Sequence, residues 1–249
     1  MKNKKSILIC IPSFDTKIHL ETISSIISIR DILLQNGIGI SIMWLRDSLI
    51  TRGRNKLVKQ FLDTDHTHLF FIDADISFTP DDFIRVLNLN KPISTAPYPI
   101  KRDDKIEDGD ASLGWCVNFP LGKYNFKDND NGYKVCDYAG TGFMCIQRDV
   151  FKTILKKYPQ IEYLTEVNVE KRTGIKEYAF FDCGIQGQGI LEDKDKTRRY
   201  LSEDFYFCAL WQQCGGEIWT DITSELKHIG IKTYERKPIA KRSYEKEKR

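Results

Sequence analysis

Apolar, strand-like segments alternate with helix-like segments over the first hundred residues, and this alternation most constrains the fold. The predicted strands cover 6–11, 38–45, 68–72 and 92–98, and the predicted helices cover 20–34, 55–62 and 80–89. The strand segments are rich in β-branched and apolar residues, as strands buried on both faces are. The pattern predicts an α/β fold with a mostly parallel central sheet and helices on both faces.

The second half of the sequence predicts a small, more antiparallel region. Its predicted elements are strands over 114–120 and 133–138 joined by a turn at 128–132, a strand over 143–146, a helix over 149–158, a mobile loop over 183–200, a helix over 202–213 and a strand over 217–220. We find no internal repeat and no linker. We therefore predict one domain over 1–235 and a basic, flexible tail over 236–249.

Charge and cysteine usage exclude several functional classes. The net charge is +3, of which residues 237–249 supply +4 (six basic and two acidic side chains), so the body carries −1 and no nucleic-acid partner is expected. No apolar run reaches about 18 residues, so we expect no transmembrane segment and at most a weak membrane-surface contact through the tail. The seven cysteines are dispersed singly, which favours free thiols and a cytoplasmic location.

Two carboxylates follow the apolar strand at 69–72. Asp73 and Asp75 stand one residue apart, so an extended backbone would point them to the same side. In parallel α/β sheets, ligands bind beyond the carboxyl ends of the strands. Paired carboxylates suit Mg²⁺ or Mn²⁺ holding a diphosphate. A solvated turn before the next helix is the alternative.

Four other motifs add candidate groups. Polar residues also end the first two strands, at Pro12–Ser13 and at Asp47. Arg52 and Arg54 open a helix and could neutralise a phosphate or hold an acid of the Asp73–Asp75 pair. Glu203 and Asp204 begin another helix, where a carboxylate could serve as a general base. His228 follows the last strand, and histidine is a common ligand for metals such as Mn²⁺.

Together these motifs resemble the GT-A-fold glycosyltransferases of the broad family-2-like kind, including compact members from large viruses and bacteria. The matching segments span residues 7 to 230. They are the first strand, which ends in Ile11–Ser13, and the segments Arg54–Asn55, Phe71–Asp75, Gly140–Phe143, Glu203–Asp204 and His228 with Gly230. The resemblance implies a single GT-A (Rossmann-like) domain with a nucleotide-binding half over about 1–100 and an acceptor half over 101–235. It also implies the host cytoplasm as the location if the source is viral.

The resemblance further implies roles for individual residues. Asp73, Asp75 and His228 would bind Mn²⁺ or Mg²⁺, and Asp204, with Glu203 beside it, would be the catalytic base. The nucleotide-sugar donor would be held by Pro12, Ser13, Asp47, Arg52, Arg54, Asp73, Ala74, Gly140 and Thr141. The implied reaction moves a sugar from a nucleoside diphosphate, UDP by family habit, to a glycan hydroxyl with inversion.

The sequence departs from the pattern of the family at two places, and three alternative functions stay open. Gly53 stands where the family usually has alanine, and the span from Asp75 to Asp204 is long for the family. The alternatives are a retaining GT-A transferase with the same metal site, a nucleotidyltransferase, and a non-catalytic nucleotide- or glycan-binding module. A nucleotidyltransferase usually carries a glycine-rich loop after the first strand, but residues 12–15 contain no glycine.

Overall fold

The structure is a computed structural model that describes residues 5–102, 114–120, 132–168, 173–194, 196–235 and Ile239. The predicted turn at 128–132, apart from Gly132, and the predicted tail, apart from Ile239, lie outside these residues. The division of 1–235 into nucleotide-binding and acceptor halves stays a prediction.

The first hundred residues alternate strands and helices as predicted. Their elements are β1 (Ser6–Ser13), α1 (Leu20–Gln35), β2 (Gly39–Arg46), α2 (Ile50–Leu62), β3 (His68–Ile72), β4 (Ile76–Ser77), α3 (Pro80–Asn88) and β5 (Ile93–Thr95). Helix α3 begins with a capping box between Thr79 and Asp82 and has Pro80 in its first turn. Strand β5 ends before Pro97, which has no N–H to donate to a sheet.

Helix α2 begins at Ile50, five residues before the predicted segment 55–62, and so includes Arg52 and Arg54, which were expected to open it. The Asp47 carboxylate accepts a hydrogen bond from the N–H of Leu49 at 3.0 Å and so forms the turn that leads into the helix. The polar residues Thr51–Arg54 lack the apolar periodicity by which residues 55–62 were assigned to the helix. A Cβ at Gly53 would lie 3.3 Å from the Cβ of Asp47, so this tight approach favours glycine over the alanine usual in the family.

The rest of the chain adds short strands and two helices. Its elements are β6 (Val117–Asn118), β7 (Tyr133–Cys136), β8 (Tyr138–Ala139), β9 (Phe143–Gln147), α4 (Arg148–Lys157), a 3-10 helix at Pro159–Ile161, β10 (Glu162–Asn168), β11 (Thr173–Tyr178), β12 (Gly184–Ile185), β13 (Tyr200–Leu201), α5 (Glu203–Gln213), β14 (Ile218–Asp221), β15 (Lys227–Ile229) and β16 (Thr233–Tyr234). The β10–β11 hairpin was not predicted, and strands β12 and β13 close the loop expected over 183–200.

The central sheet has seven strands in the order β2-β1-β3-β9-β5-β14-β7. Five strands share one direction, and β9 and β7 run against them, so the predicted mostly parallel sheet is confirmed. One pairing was only partly correct: of the segment expected at 133–138, its end at Tyr138 pairs with Asn118 as in the expected hairpin, but 133–136 do not. Strand β6 pairs with β8, whereas β7 joins the sheet edge beside β14. Asp137 separates β7 from β8, which allows the two strands to take different partners.

Apolar side chains cover both faces of this sheet. Along β1, Ile7, Ile9 and Ile11 face one cluster, whereas Leu8 and Cys10 face the other. Helices α1 and α3 contribute to the first cluster, and α2, α4 and α5 to the second. The prediction of helices on both faces is therefore confirmed.

Two expectations based on composition can be compared with the structure. All seven cysteines are free, as predicted, and four of them are buried. Within the described segments, every helix is too short or too polar to pass through a bilayer.

Candidate active site at the carboxyl edge of the sheet

Strand β9 brings a glycine-rich segment to the end of β3. Phe143 pairs with Ile72, so the backbone entering β9 passes beside Asp73. The N–H of Asp73 donates to the carbonyl of Gly142 at 2.9 Å. A Cβ at Gly142 would lie 2.8 Å from Asp73 Oδ2, and the glycine therefore gives this carboxylate the space it occupies.

Arg54 links three elements at this edge. Its side chain is 3% exposed, and its Nη2 donates to Asp73 Oδ1 at 2.9 Å. Its Nε donates to Glu203 Oε1, at the start of α5, at 3.4 Å. Burial alone would lower the pKa of the Arg54 guanidinium, but the charges of Asp73 and Glu203 outweigh it and raise this pKa. Arg54 thus holds the first acid of the pair, one of the two roles expected for it.

Asp75 and His228 are held together by strand pairing. Strand β4 pairs with β15, with His228 opposite Ile76, and the N–H of Ile229 donates to the carbonyl of Asp75 at 2.8 Å. His228 Nδ1 lies 2.8 Å from the carbonyl oxygen of Pro99. A carbonyl can only accept, so Nδ1 carries a hydrogen and a neutral ring presents its lone pair at Nε2.

The lone-pair side of His228 faces Asp75. Nε2 lies 3.4 Å from Asp75 Oδ1, and Lys101 Nζ lies 2.6 Å from Asp75 Oδ2. Burial raises the pKa of the Asp75 carboxyl, but the hydrogen bonds from His228 in its protonated form and from Lys101 outweigh it and bring this pKa to about 2. Two acceptors, a carboxylate oxygen and a neutral imidazole nitrogen, repel each other unless a proton or a cation lies between them. The pair can therefore share a proton on Nε2 or, with a neutral ring, hold a divalent metal.

The three predicted metal ligands are not gathered into one group. Within the described residues, no set of three or more His, Cys, Asp and Glu side chains could hold a metal ion. Asp75 and His228 come together, whereas Asp73 is paired with Arg54. A metal here would take two protein ligands, and substrate oxygens and water would complete its shell, as is common for Mg²⁺.

Tyr98 lies at the centre of the site and was missed in the sequence. Its hydroxyl accepts a hydrogen bond from the N–H of Gly142 at 3.1 Å, and its ring packs edge-on against His228 with centroids 5.3 Å apart. A Cβ at Gly140 would collide with this hydroxyl. The two glycines therefore make room for Tyr98. The signal available was the Pro97-Tyr98-Pro99 triplet, which directs the chain away from the sheet.

Asp204 is a partly buried carboxylate beside these groups. It accepts hydrogen bonds from the hydroxyl of Ser202 and, at 2.8 Å, from the N–H of Phe205. Burial and, to a lesser extent, the charge of Glu203 raise the pKa of Asp204. Burial is the main cause of the raised pKa of Tyr98, and the charges of Asp73 and Asp204 raise it further. Its neighbour Glu203 contacts Arg54, which also binds Asp73, so the fold brings Asp204 near Asp73 across a long sequence separation.

The groups expected to bind the nucleotide base are close together but already paired. Arg52 binds Asp47 with Nε at 2.8 Å and Nη2 at 2.6 Å, and the Asp47 side chain is 6% exposed. The hydrogen bonds from Arg52 lower the pKa of Asp47 to about 2. The N–H of Asp47 donates to the carbonyl of Ser13, which places Pro12 and Ser13 beside this pair.

The remaining predicted residues have structural partners or are buried. The carbonyl of Ala74 accepts from the N–H of His19 at 2.9 Å and from Thr22 Oγ1 at 3.2 Å, which ties the loop after β3 to α1. Gly140 and Thr141 are buried, and within the described residues the Thr141 hydroxyl has no hydrogen-bond partner.

The chain matches no protein-family model and no curated protein. Among solved structures, it is similar to A197 from STIV, at 17% identity and a TM-score of 0.48, over 90% of this chain and 86% of that one. It is similar to GalNAc-T7 solved with UDP, GalNAc and Mn²⁺, at 13% identity and a TM-score of 0.46, over 92% and 45% of the two chains. It is also similar to an inositol-1-phosphate CTP transferase from T. maritima, at 10% identity and a TM-score of 0.36, over 88% and 89%. These likenesses are too distant to assign a function.

Asn55 fixes the segment that borders the site on the α5 side. Its Nδ2 donates to the carbonyl of Phe181, and its Oδ1 accepts from the N–H of the same residue, both at 2.9 Å. All of these groups are buried, so removing the amide leaves two backbone groups without partners.

We expect Asn55→Ala to lower the free energy of unfolding by about 2–4 kcal/mol, because each of the two unpaired buried groups costs about 1–3 kcal/mol and single substitutions rarely cost more than about 4 kcal/mol. Urea denaturation followed by fluorescence measures this change. Asn36→Ala is the matched control: Asn36 donates to one carbonyl at an exposed helix end, so its loss should cost less than about 1 kcal/mol. Equal losses in the two variants would contradict the role given to Asn55.

Proposed function

We propose that this site binds a nucleoside diphosphate sugar with Mn²⁺ or Mg²⁺ and transfers the sugar to a glycan hydroxyl. The convergence of the Asp75 carboxylate with the Nε2 lone pair of His228 carries this proposal. A carboxylate and an imidazole oriented by a carbonyl form a typical pair of ligands for such a metal. Their position beyond the carboxyl end of β3 is where α/β sheets bind ligands.

Asp75 and His228 would hold the metal. When bound, the metal would offset the negative charge that develops on the leaving diphosphate. Arg54 adds a fixed positive charge nearby, and within the described residues its buried Nη1 has no acceptor. That donor is suited to a substrate oxygen. Asp73, fixed by Arg54, would accept hydrogen bonds from the ribose.

The nucleotide end of the donor would lie against Pro12 and Ser13, at the end of β1. Asp47 and Arg52 are paired to each other beside these residues, so they would contact the base or ribose after the pair opens. We propose UDP as the nucleotide on the basis of the motif resemblance. Gly140 and Thr141 would border the sugar.

Asp204 would act as the catalytic base. Its raised pKa suits a group that must take up a proton during the reaction. The acceptor oxygen forms a bond to the anomeric carbon, the bond from that carbon to the diphosphate breaks, and the acceptor proton passes to Asp204. Attack from the face opposite the diphosphate inverts the anomeric configuration.

We expect Asp204→Asn to keep donor binding and to reduce transfer by about 10²–10⁴-fold, the usual contribution of a general base. The assay incubates the protein with UDP-, GDP-, CDP- and dTDP-sugars, a glycan mixture and Mn²⁺, and detects elongated glycans by mass spectrometry. The exposed Asp149→Asn variant is the charge-matched control. Transfer at the wild-type rate in Asp204→Asn would exclude this base and favour a retaining reaction. Absence of product with every donor would favour a binding module.

Turnover should depend on pH through Asp204. The base acts when deprotonated, so kcat should rise with pH as Asp204 loses its proton. Because burial and Glu203 raise the pKa of Asp204, the midpoint of this acid limb should lie above the ordinary pKa of an aspartate. Glu203→Gln removes one of these causes and should shift the limb to lower pH. A limb that stays in place in Glu203→Gln would contradict this electrostatic coupling.

A further inference from the structure

Lys101 places an ammonium group against the proposed metal ligand. Its Nζ lies 2.6 Å from Asp75 Oδ2, on the oxygen that His228 does not face. The sequence pattern assigned Lys101 no role, and the proposed reaction as described does not use it. Both oxygens of Asp75 therefore face a nitrogen atom.

The surroundings of Lys101 direct its side chain towards Asp75. Two residues before Lys101, the carbonyl of Pro99 orients His228. The N–H of Ile100, between them, donates to the carbonyl of Gly114 at 2.8 Å. The methylene chain of Lys101 passes over Gly230, where a Cβ would lie 3.3 Å from its Cδ. The segment that sets the histidine tautomer thus also directs Lys101 to Asp75. The side chain is 33% exposed, so it has room to swing away.

An ammonium group and a divalent cation cannot share this carboxylate without cost. Lysine offers only donors and cannot ligate a metal, and two cations at one carboxylate repel each other. A diphosphate would give the displaced ammonium a new anionic partner. The binding of the metal to Asp75 is therefore linked to the binding of the nucleotide.

We propose that Lys101 competes with the divalent metal for Asp75, so that the empty site binds metal weakly until a nucleoside diphosphate engages Lys101. This inference rests on the proposed metal–nucleotide site and describes how Lys101 would control metal binding there. It makes the binding of metal and nucleotide mutually favourable, as linkage requires when each ligand relieves a cost of the other.

The test is a Mn²⁺ titration of the full chain without nucleotide, read by electron paramagnetic resonance of free Mn²⁺. We expect Lys101→Met to bind Mn²⁺ about tenfold or more tightly than wild type, the factor that corresponds to one charge-assisted hydrogen bond. Lys101→Arg keeps the charge and should stay near wild type. Lys152→Met, which removes an exposed lysine paired with Asp149, is the control and should also match wild type. Addition of UDP should tighten Mn²⁺ binding more in wild type than in Lys101→Met.

The outcomes separate this inference from the site on which it rests. Equal Mn²⁺ affinities in wild type and Lys101→Met, together with loss of binding in Asp75→Asn, would overturn the competition and leave the metal site standing. Mn²⁺ binding that is unchanged in Asp75→Asn, or absent from every variant even with UDP, would overturn the metal site and the competition together.

Discussion

Asp75→Asn is expected to abolish metal-dependent nucleotide binding and to reduce turnover by about a thousandfold or more. Asparagine keeps the shape of the side chain but removes the negative charge that pairs with the metal. Metal stabilisation of transition-state charge contributes several kcal/mol, and each 1.36 kcal/mol is a factor of ten in rate. Calorimetric titration of UDP in Mn²⁺ and in EDTA, together with the transfer assay, measures both effects.

The loss in Asp75→Asn should not depend on pH in the neutral range. The pKa of Asp75 is about 2, so the wild-type carboxylate is ionised throughout the neutral pH range. Asp81→Asn removes a similar charge from the exposed start of α3 and should leave binding and turnover unchanged. Wild-type turnover in Asp75→Asn would exclude Asp75 as a metal ligand.

Arg54→Met is expected to have the largest effect on stability, lowering the free energy of unfolding by about 3–5 kcal/mol. The guanidinium is buried between the carboxylates of Asp73 and Glu203, which belong to different elements. Methionine fills similar space but leaves two negative charges near each other without their counter-ion. Breaking a buried ion pair from one side is costly for that reason. Urea denaturation at neutral pH measures the change.

Compensating variants separate this electrostatic cause from simple loss of packing. Adding Asp73→Asn and Glu203→Gln to Arg54→Met removes the unpaired charges and should restore much of the lost stability. Arg54→Lys keeps the charge but cannot reach both carboxylates with the planar fork of arginine, so it should fall between wild type and Arg54→Met. A triple variant that is as unstable as Arg54→Met would show that packing dominates.

Much of the fold could be predicted because local patterns determined it. The apolar strand segments and the Thr79–Pro80 helix start are local signals, and both proved correct. The position of β9 between β3 and β5 depends on contacts far apart in sequence, and no local pattern specifies it. The same holds for β7, which pairs with β14 although its sequence also suits a hairpin with 114–120.

The candidate site also combines residues that local sequence patterns indicate with residues that only the folded chain reveals. Asp73, Asp75 and His228 stood out because their residue types at strand ends suggest ligand binding. Lys101 and Tyr98 did not stand out, because their importance comes from facing Asp75 and Gly142 across the fold. The Asp47–Arg52 pair shows the opposite case, since two residues that looked available to a ligand are bound to each other.

The most direct test of a metal–nucleoside diphosphate site is a thermal-shift panel of UDP, GDP, CDP and dTDP, each with Mn²⁺, Mg²⁺ or EDTA. A ligand at 100 times its Kd stabilises a protein by about 2.7 kcal/mol, which for a chain of this size raises Tm by about 5–11 °C. We expect one nucleotide to give such a shift with Mn²⁺ or Mg²⁺ and to lose it in EDTA. No shift with any nucleotide and metal, or a shift of the same size in EDTA, would contradict the proposed site.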